Sequence, residues 1–250
     1  MKEKSNILIV SDMCGYGKVS AAVQMPILSY MGHDVFNLPT MLISNTFPYG
    51  KYAILECTSY IEEALQKWNE LGIHFDAITT GFIPSEQQAQ LIARYCREQA
   101  ALGTEIFVDP VMGDYGKLYG GANEGTIRCM REMLSVAHLC FPNYTEACLL
   151  TGAEYSEKGI SKSEAYELVN QLREIGSLSV LITSCIVDVS MLLWDSITRL
   201  TNILSYHTMR FLYNFPVQVT FSPASLREGS PMATTYSMPP VSPWIPCATG

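Results

Sequence analysis

The sequence predicts an α/β domain, a mostly parallel sheet with helices on both faces, followed by an irregular C-terminal part. Three observations predict it. Up to about Asp188, short apolar runs rich in Val, Ile and Phe alternate with amphipathic segments of helical length. The segments between the runs are long enough to be crossover helices, which parallel pairing requires. After Asp188 the texture changes: residues 189–250 hold five charged residues and seven of the thirteen prolines.

The elements follow in order. Strands are expected at Ile7–Val10, Val35–Leu38, Ala77–Thr80, Ile106–Asp109, Leu139–Phe141 and Ser179–Thr183. Helices are expected near Val19–Tyr30, Tyr60–Leu71, Ser85–Ala101, Glu124–Ser135 and Ser161–Ile175. Leu91, Ile92, Tyr95 and Cys96 share one helical face. Right-handed βαβ units of this kind bind ligands at the carboxyl ends of their strands. Residues 1–188 read as one domain and 189–250 as a divergent tail, too poor in charge and too rich in Pro, Ser and Thr to continue a helix-covered sheet.

Composition narrows the function. The chain has 250 residues, 48% of them hydrophobic, enough for a sizeable core. A net charge of −8 argues against a nucleic-acid binder, which needs a basic face. No basic start leads into a long apolar run, so a soluble cytoplasmic protein with no membrane partner is expected. Eight scattered cysteines without CxxC spacing read as small buried hydrophobes, not zinc ligands.

Four motifs stand at strand ends. Asp109-Pro-Val-Met-Gly-Asp114 places two carboxylates on a Gly-bearing turn, where they either face a metal together or form an ordinary strand–turn. Phe141-Pro-Asn-Tyr-Thr-Glu-Ala147 opens a helix, and Asn143 with Glu146 is either a capping-box variant or a nucleotide and Mg²⁺ site. Ile182-Thr183-Ser184 offers hydroxyls to phosphate oxygens or merely ends a strand. Ser11-Asp12 precedes Gly15-Tyr-Gly-Lys-Val-Ser20, a glycine-rich turn that lacks the spacing of a P-loop.

Together and in this order the motifs resemble the pyridoxal kinase family of the ribokinase-like superfamily. The matching stretches are SDMCGYGKVSAA at 11–22, PTMLISN at 39–45, TTGFIPS at 79–85, DPVMGD at 109–114, FPNYTEACLLTG at 141–152 and LITS at 181–184. The resemblance implies ATP-dependent phosphorylation of pyridoxal, pyridoxine or pyridoxamine at the 5′-hydroxymethyl group, with Mg²⁺ and a monovalent cation. It implies that Ser11 hydrogen-bonds the pyridine ring, with Ser44, Thr46, Phe82 and Tyr119 in the substrate pocket. Asn143, Glu146, Thr183, Ser184 and Asp114 would bind ATP, and Asp109 with Glu146 the metal. Homodimers are common in the family. The chain departs from the pattern at Ser44-Asn45-Thr46-Phe47-Pro48, where SNHTG is frequent, and at Phe82, where Tyr is common. The ring contacts stay open for that reason. Hydroxymethylpyrimidine kinase is the close alternative, and a non-catalytic binder of nucleotide or vitamer is another.

Family members end with a GTGD loop that opens a helix. Its backbone N–H groups stabilise the transferred phosphoryl, and its Asp accepts the proton of the substrate hydroxyl. Residues 189–250 contain no such run. A shifted reading frame supplies one. Joining the last base of each codon to the first two of the next, Ile203–Pro223 permits YFELPYDEIPVQFPGTGDIFS with allowed synonymous codons. Val217, Gln218, Val219 and Thr220 then underlie GTGD, and Thr220 stands where the aspartate base is expected. The tail therefore reads as frameshifted near Val187–Ser190, and the chain as impaired in catalysis. Translation of a damaged gene is the third alternative.

Overall fold

The computed structural model describes residues 4–120, 122–187, 190–196 and 204–207, the last two stretches by their backbone. Chain order begins β1 (Asn6–Tyr16), α1 (Ala21–Tyr30), β2 (Asp34–Asn45), β3 (Ile54–Glu56), α2 (Thr58–Glu70), β4 (Ala77–Thr80) and α3 (Glu86–Ala101). It continues with β5 (Glu105–Val108), the short strands β6 (Gly113–Asp114) and β7 (Lys117–Leu118), α4 (Glu124–Leu134), β8 (Leu139–Cys140) and α5 (Tyr144–Thr151). The last elements are α6 (Lys162–Ile175), β9 (Ser179–Val187), β10 (Ser190–Ser196) and β11 (Leu204–His207).

The main sheet runs β11-β10-β9-β8-β5-β4-β1-β2-β3. Its six central strands, β9 to β2, pair in parallel, and β3, β10 and β11 are antiparallel additions at the two edges. The chain moves from β1 to β2 in one direction, then crosses to β4 on the other side of β1. The β1–β4 boundary is therefore the point where strand order reverses, and a ligand crevice is expected at its carboxyl end. Every strand expected from sequence is present. β1, β2 and β9 run longer than expected, and both described stretches of 189–250 are strands.

Helix boundaries have local causes. Ser85 caps α3 by accepting from the Gln88 N–H at 3.3 Å, and Ala89, Ile92, Ala93 and Cys96 form its buried stripe. Ser161 and Glu164 close a capping box on α6. Helix α5 buries Tyr144, Thr145, Glu146, Ala147, Cys148 and Leu150 and so has no polar side.

The two sheet faces are clad unequally. Leu8, Val10, Ile78, Ile106, Val108, Val180 and Ile182 share one core with Ile61, Leu65, Ile92, Met130, Met133 and Leu172 of the helices α2–α6. Strand alternation turns Ile7, Ile9, Phe107, Leu139 and Leu181 to the opposite face. There α1 packs on β1 and β2 and buries Ala21, Gln24 and Leu28. The seven cysteines of the described residues are all free and buried.

Candidate active site at the carboxyl ends of the strands

Backbone hydrogen bonds tie the strand ends into one row. The N–H groups of Gly81, Asp109, Phe141 and Thr183 donate to the carbonyls of Val10, Thr80, Val108 and Pro142, at 2.9–3.0 Å. Adjacent strands lie about 4.8 Å apart, so β1 and β5 are separated by roughly 10 Å. Two side-chain clusters occupy this row.

The first stands at β1, β2 and β4. Ser11 and Asp12 are buried, and the Ser11 hydroxyl donates to Asp12 Oδ1 at 3.3 Å. Burial pushes the Asp12 carboxyl above its usual range, against hydrogen bonds from Ser20, Ser11 and its own backbone. Gly81 faces Ser11 so closely that a Cβ there would collide with the Ser11 hydroxyl. The β1–β2 register shifts between Ser11 and Met13, where Pro39 to Leu42 spans one residue more on β2. Thr40, in that bulge, donates to the Phe82 carbonyl at 2.8 Å, and its own carbonyl accepts from Gln88 Nε2 at 2.9 Å. Phe82 packs with Cys14, Met41 and Ile43, its ring 6.1 Å from that of Phe47. Thr46 lies against Gly17, whose φ of 137° suits a residue without Cβ. Ser44 is exposed; its hydroxyl donates to Asn45 Oδ1 at 2.7 Å and accepts from the Ala53 N–H at 2.8 Å, closing the β2–β3 connection.

The second cluster stands at β5, β8 and β9. Asn143 and Glu146 form the capping box of α5 in full: Asn143 Oδ1 accepts from the Glu146 N–H, and Glu146 Oε2 from the Asn143 N–H, both at 2.9 Å. The same side chains reach the DPVMGD turn. Glu146 Oε1 accepts from the Met112 N–H at 3.1 Å, and Asn143 Nδ2 donates to the Gly113 carbonyl at 2.9 Å. Capping and site-building are thus the same contacts. Burial pushes the Glu146 carboxyl well above the carboxylate range, and the charge of Asp109 adds to it; N–H groups of Asn143, Met112 and Gly113 pull the other way. Burial, followed by the charges of Glu146, Asp114 and Asp109, likewise raises the Tyr119 hydroxyl. Tyr119 thus lies within electrostatic range of Glu146, Asp114 and Asp109. Ser184 is exposed at a φ of 57°, a strained conformation for a residue with Cβ, while Thr183 is bridged to Asn143.

The sequence reading assigned no role to several residues of the site. Asp12 and Gly81 lie inside its motifs, but their importance depends on the β1–β4 approach. Thr145 and Tyr155 anchor the β6–β7 hairpin: the Gly116 N–H donates to Thr145 Oγ1 at 2.9 Å, and the Tyr155 ring covers Gly116. Thr220 lies outside the described residues.

The residues fit a divalent cation. Glu146 is a buried carboxylate whose surroundings are backbone N–H groups and the like charge of Asp109. Among the described residues no three His, Cys, Asp or Glu converge on one point. A buried carboxylate that feels a second acid suits a hard cation such as Mg²⁺, which keeps waters and phosphate oxygens among its ligands.

The chain is similar in sequence and fold to known kinases. The family model described as phosphomethylpyrimidine kinase matches residues 50–210. A pyridoxine/pyridoxal/pyridoxamine kinase of Bordetella avium is 31% identical over 176 residues, 66% of this chain and 58% of that protein. The pyridoxal kinase PdxY of Deinococcus radiodurans is 26% identical over 72% of the chain and 62% of its own length. The chain thus spans less than two thirds of either relative. The crystal structure of pyridoxal kinase from Lactobacillus plantarum superposes with a TM-score of 0.72 at 28% identity, covering 82% of this chain and 72% of that one. A Bacteroides thetaiotaomicron protein assigned to the phosphomethylpyrimidine kinases, crystallised with pyridoxal, superposes with a TM-score of 0.74 at 31% identity, over 79% and 70% of the two chains.

Proposed function

The chain belongs to the pyridoxal kinase family, within the ribokinase-like fold and the phosphomethylpyrimidine kinase family model, and from that premise we propose that its site is built to phosphorylate a B6 vitamer at the 5′-hydroxymethyl group with Mg-ATP. One observation carries the reading: Glu146, buried at the helix N-terminus that Asn143 caps, feels the charge of the half-buried Asp109 at the end of the neighbouring strand. A helix N-terminus favours phosphate oxygens. Asp109 and Glu146 would hold Mg²⁺, which when bound neutralises charge on the transferred phosphoryl.

In this reading Asn143, Glu146, Thr183, Ser184 and Asp114 line the nucleotide phosphates. Ser11, Ser44, Thr46 and Phe82 line the vitamer, and Tyr119 covers it from the β6–β7 side. Ser44 already serves the β2–β3 connection through Asn45 and Ala53, so it would reach the vitamer only by exchanging one of those partners. A monovalent cation near the phosphates, and a homodimer, belong to the same proposal.

The chain as written is impaired in turnover, because 189–250 carries neither the GTGD anion hole nor the aspartate. Residues 1–188 are the kinase scaffold, and the remainder is the frameshifted continuation. The nucleotide sequence across codons 185–225 tests the frameshift. A stop codon forced in the shifted frame, or bases that destroy GTGD, would end it. The functional test compares the 250-residue chain with a frame-restored chain. Pyridoxal phosphorylation is expected from the restored chain and lost by at least about a hundredfold in the chain as written, the size of an anion-hole deletion. Equal turnover by both would refute the impairment. Absence of turnover by both would refute the kinase reading.

A second reading is hydroxymethylpyrimidine as the substrate, a pyrimidine like the one that the description of the matched family model names. A panel of pyridoxal, pyridoxine, pyridoxamine and hydroxymethylpyrimidine on the restored chain separates the two. Binding without turnover by the chain as written is the outcome expected of a non-catalytic binder.

A further inference from the structure

Ser11 and Asp12 form a buried hydrogen-bonded pair at the end of the β1–β4 approach. A serine hydroxyl has one proton to donate and lone pairs to accept with. The Ser11 proton goes to Asp12 Oδ1 at 3.3 Å. Gly81 lies against Ser11, where any Cβ would collide with the Ser11 hydroxyl and lie 3.2 Å from Ser11 Cβ. Asp12 takes a second hydroxyl from Ser20, which is held at a φ of 50° immediately before α1. With its proton committed, Ser11 presents only lone pairs to a ligand.

We propose that Asp12 makes Ser11 an acceptor, so that the site selects the B6 ring with its nitrogen protonated, a hydroxypyridinium. Asp12 is a positioning residue here, acting through Ser11, and the inference rests on the reading above in which Ser11 meets the ring. A neutral pyridine nitrogen would set its lone pair against that of Ser11. A protonated one donates N–H to Ser11 and brings the positive charge that Asp12 lacks. Asp12 takes part in none of the ion pairs among the described residues. It is 6% exposed, and burial holds its carboxyl above the usual range despite the donating hydroxyls. The titratable neighbour that feels its charge is the Cys14 thiol, which cannot supply a cation. The opposite arrangement has Asp12 protonated and donating to Ser11, which then donates to a neutral ring.

The two arrangements differ in the protonation of the bound ring, which its ultraviolet absorption reports. The experiment titrates pyridoxine into the 250-residue chain and into Asp12→Asn, at a pH above the ring's own pKa in water, by calorimetry and absorption. Asparagine keeps an acceptor for Ser11 and removes the charge. The expected result is a protonated ring on the parent chain, with about tenfold weaker binding and a neutral-ring spectrum on the variant, the loss typical of one charge-assisted hydrogen bond. An analogue with carbon in place of the ring nitrogen should bind the parent chain about tenfold less tightly than pyridoxine, by the same argument. The proposal is overturned if the parent chain binds the neutral ring, or if the analogue binds it as well as pyridoxine does. The analogue needs no variant, so it decides the matter even where Asp12→Asn does not fold. If neither the parent chain nor the frame-restored chain binds any vitamer, the functional reading fails first and this proposal with it.

Discussion

At the scale of single residues, the site depends on two kinds of economy: side chains that serve twice, and glycines that leave room. Glu146 caps its own helix and holds the Met112 N–H, so its two oxygens fasten the DPVMGD turn to α5. Asn143 does the same for Gly113. Asn143→Ala would remove an N-cap and strand a partly buried carbonyl. A loss of about 1–2 kcal/mol of stability is expected from the cap alone, read as a lower urea midpoint at unchanged slope. A midpoint within error of the parent would show that the cap is replaceable by water. Gly81→Ala tests the other economy. Its methyl would have to displace the Ser11 hydroxyl, while the second cluster, beginning one strand further along at β5, is untouched. Pyridoxine affinity should fall about tenfold or more while ADP affinity holds, the steric equivalent of losing one polar contact. Equal losses for both ligands in calorimetry would mean that the change has spread through the sheet.

At the scale of elements, the strand-end geometry is built by connections more than by the strands themselves. The β2–β3 segment is fastened to α2 and α3 through Glu56, whose carboxylate accepts from the Thr58 hydroxyl and from Gln88 Nε2. Gln88 also holds the Thr40 carbonyl inside the β2 bulge. Burial, the largest single influence, raises the Glu56 carboxyl, but the hydrogen bonds from Thr58 and Gln88 together outweigh it and the net shift is downward. A carboxylate depressed in the folded state contributes stability above its unfolded pKa, near 4.5, and loses it as pH falls through the lower folded value. Glu56→Gln should therefore lower stability at neutral pH by an amount that vanishes in stronger acid. Urea midpoints of parent and variant at pH 7 and below pH 3 check this, and a gap that persists in acid would assign the effect to packing. This element also marks the limit of the sequence. Strands β1, β4, β5, β8 and β9 were legible because their apolar runs are bounded by polar or turn residues. β3 was not, since Ile54–Glu56 is short, exposed and without alternation. The β6–β7 hairpin was hidden for a related reason: Tyr115 and Gly116 both take positive φ, and a tyrosine gives no signal for that turn. Asp109, Asp114, Asn143 and Glu146 stood out in their motifs, whereas the contacts of Asp12 with Ser20, Gly81 with Ser11 and Thr145 with Gly116 are written in no motif.

At the scale of the whole molecule, the question is whether the described framework closes with this tail. Helices α2–α6 clad one face of the sheet over a continuous core, and α1 covers β1 and β2 on the other. Cysteines report on that closure because they are spread through it. Cys14 stands in β1 against Met41 and Ile43, Cys57 at the start of α2, Cys96 in α3, Cys129 in α4, Cys140 in β8, Cys148 in α5 and Cys185 in β9. All seven are buried. Burial pushes the thiols of Cys96, Cys140 and Cys185 up to about 12 and raises the other four less. A buried, protonated thiol is a poor nucleophile on both counts. Of the eight cysteines in the chain, only Cys247 lies outside the described residues. A disulfide reagent at pH 8 should accordingly find no more than one fast thiol in the native chain and eight in urea. Pyridoxine, if it binds beside Ser11, should slow Cys14 further without changing Cys96 or Cys140, which lie in the core shared with α2–α6. Eight fast thiols without denaturant would mean that the sheet does not close in this chain. The frame-restored chain would then identify the cause: thiols that become slow on restoring the frame assign the defect to residues 189–250, and thiols that stay fast assign it to the framework itself.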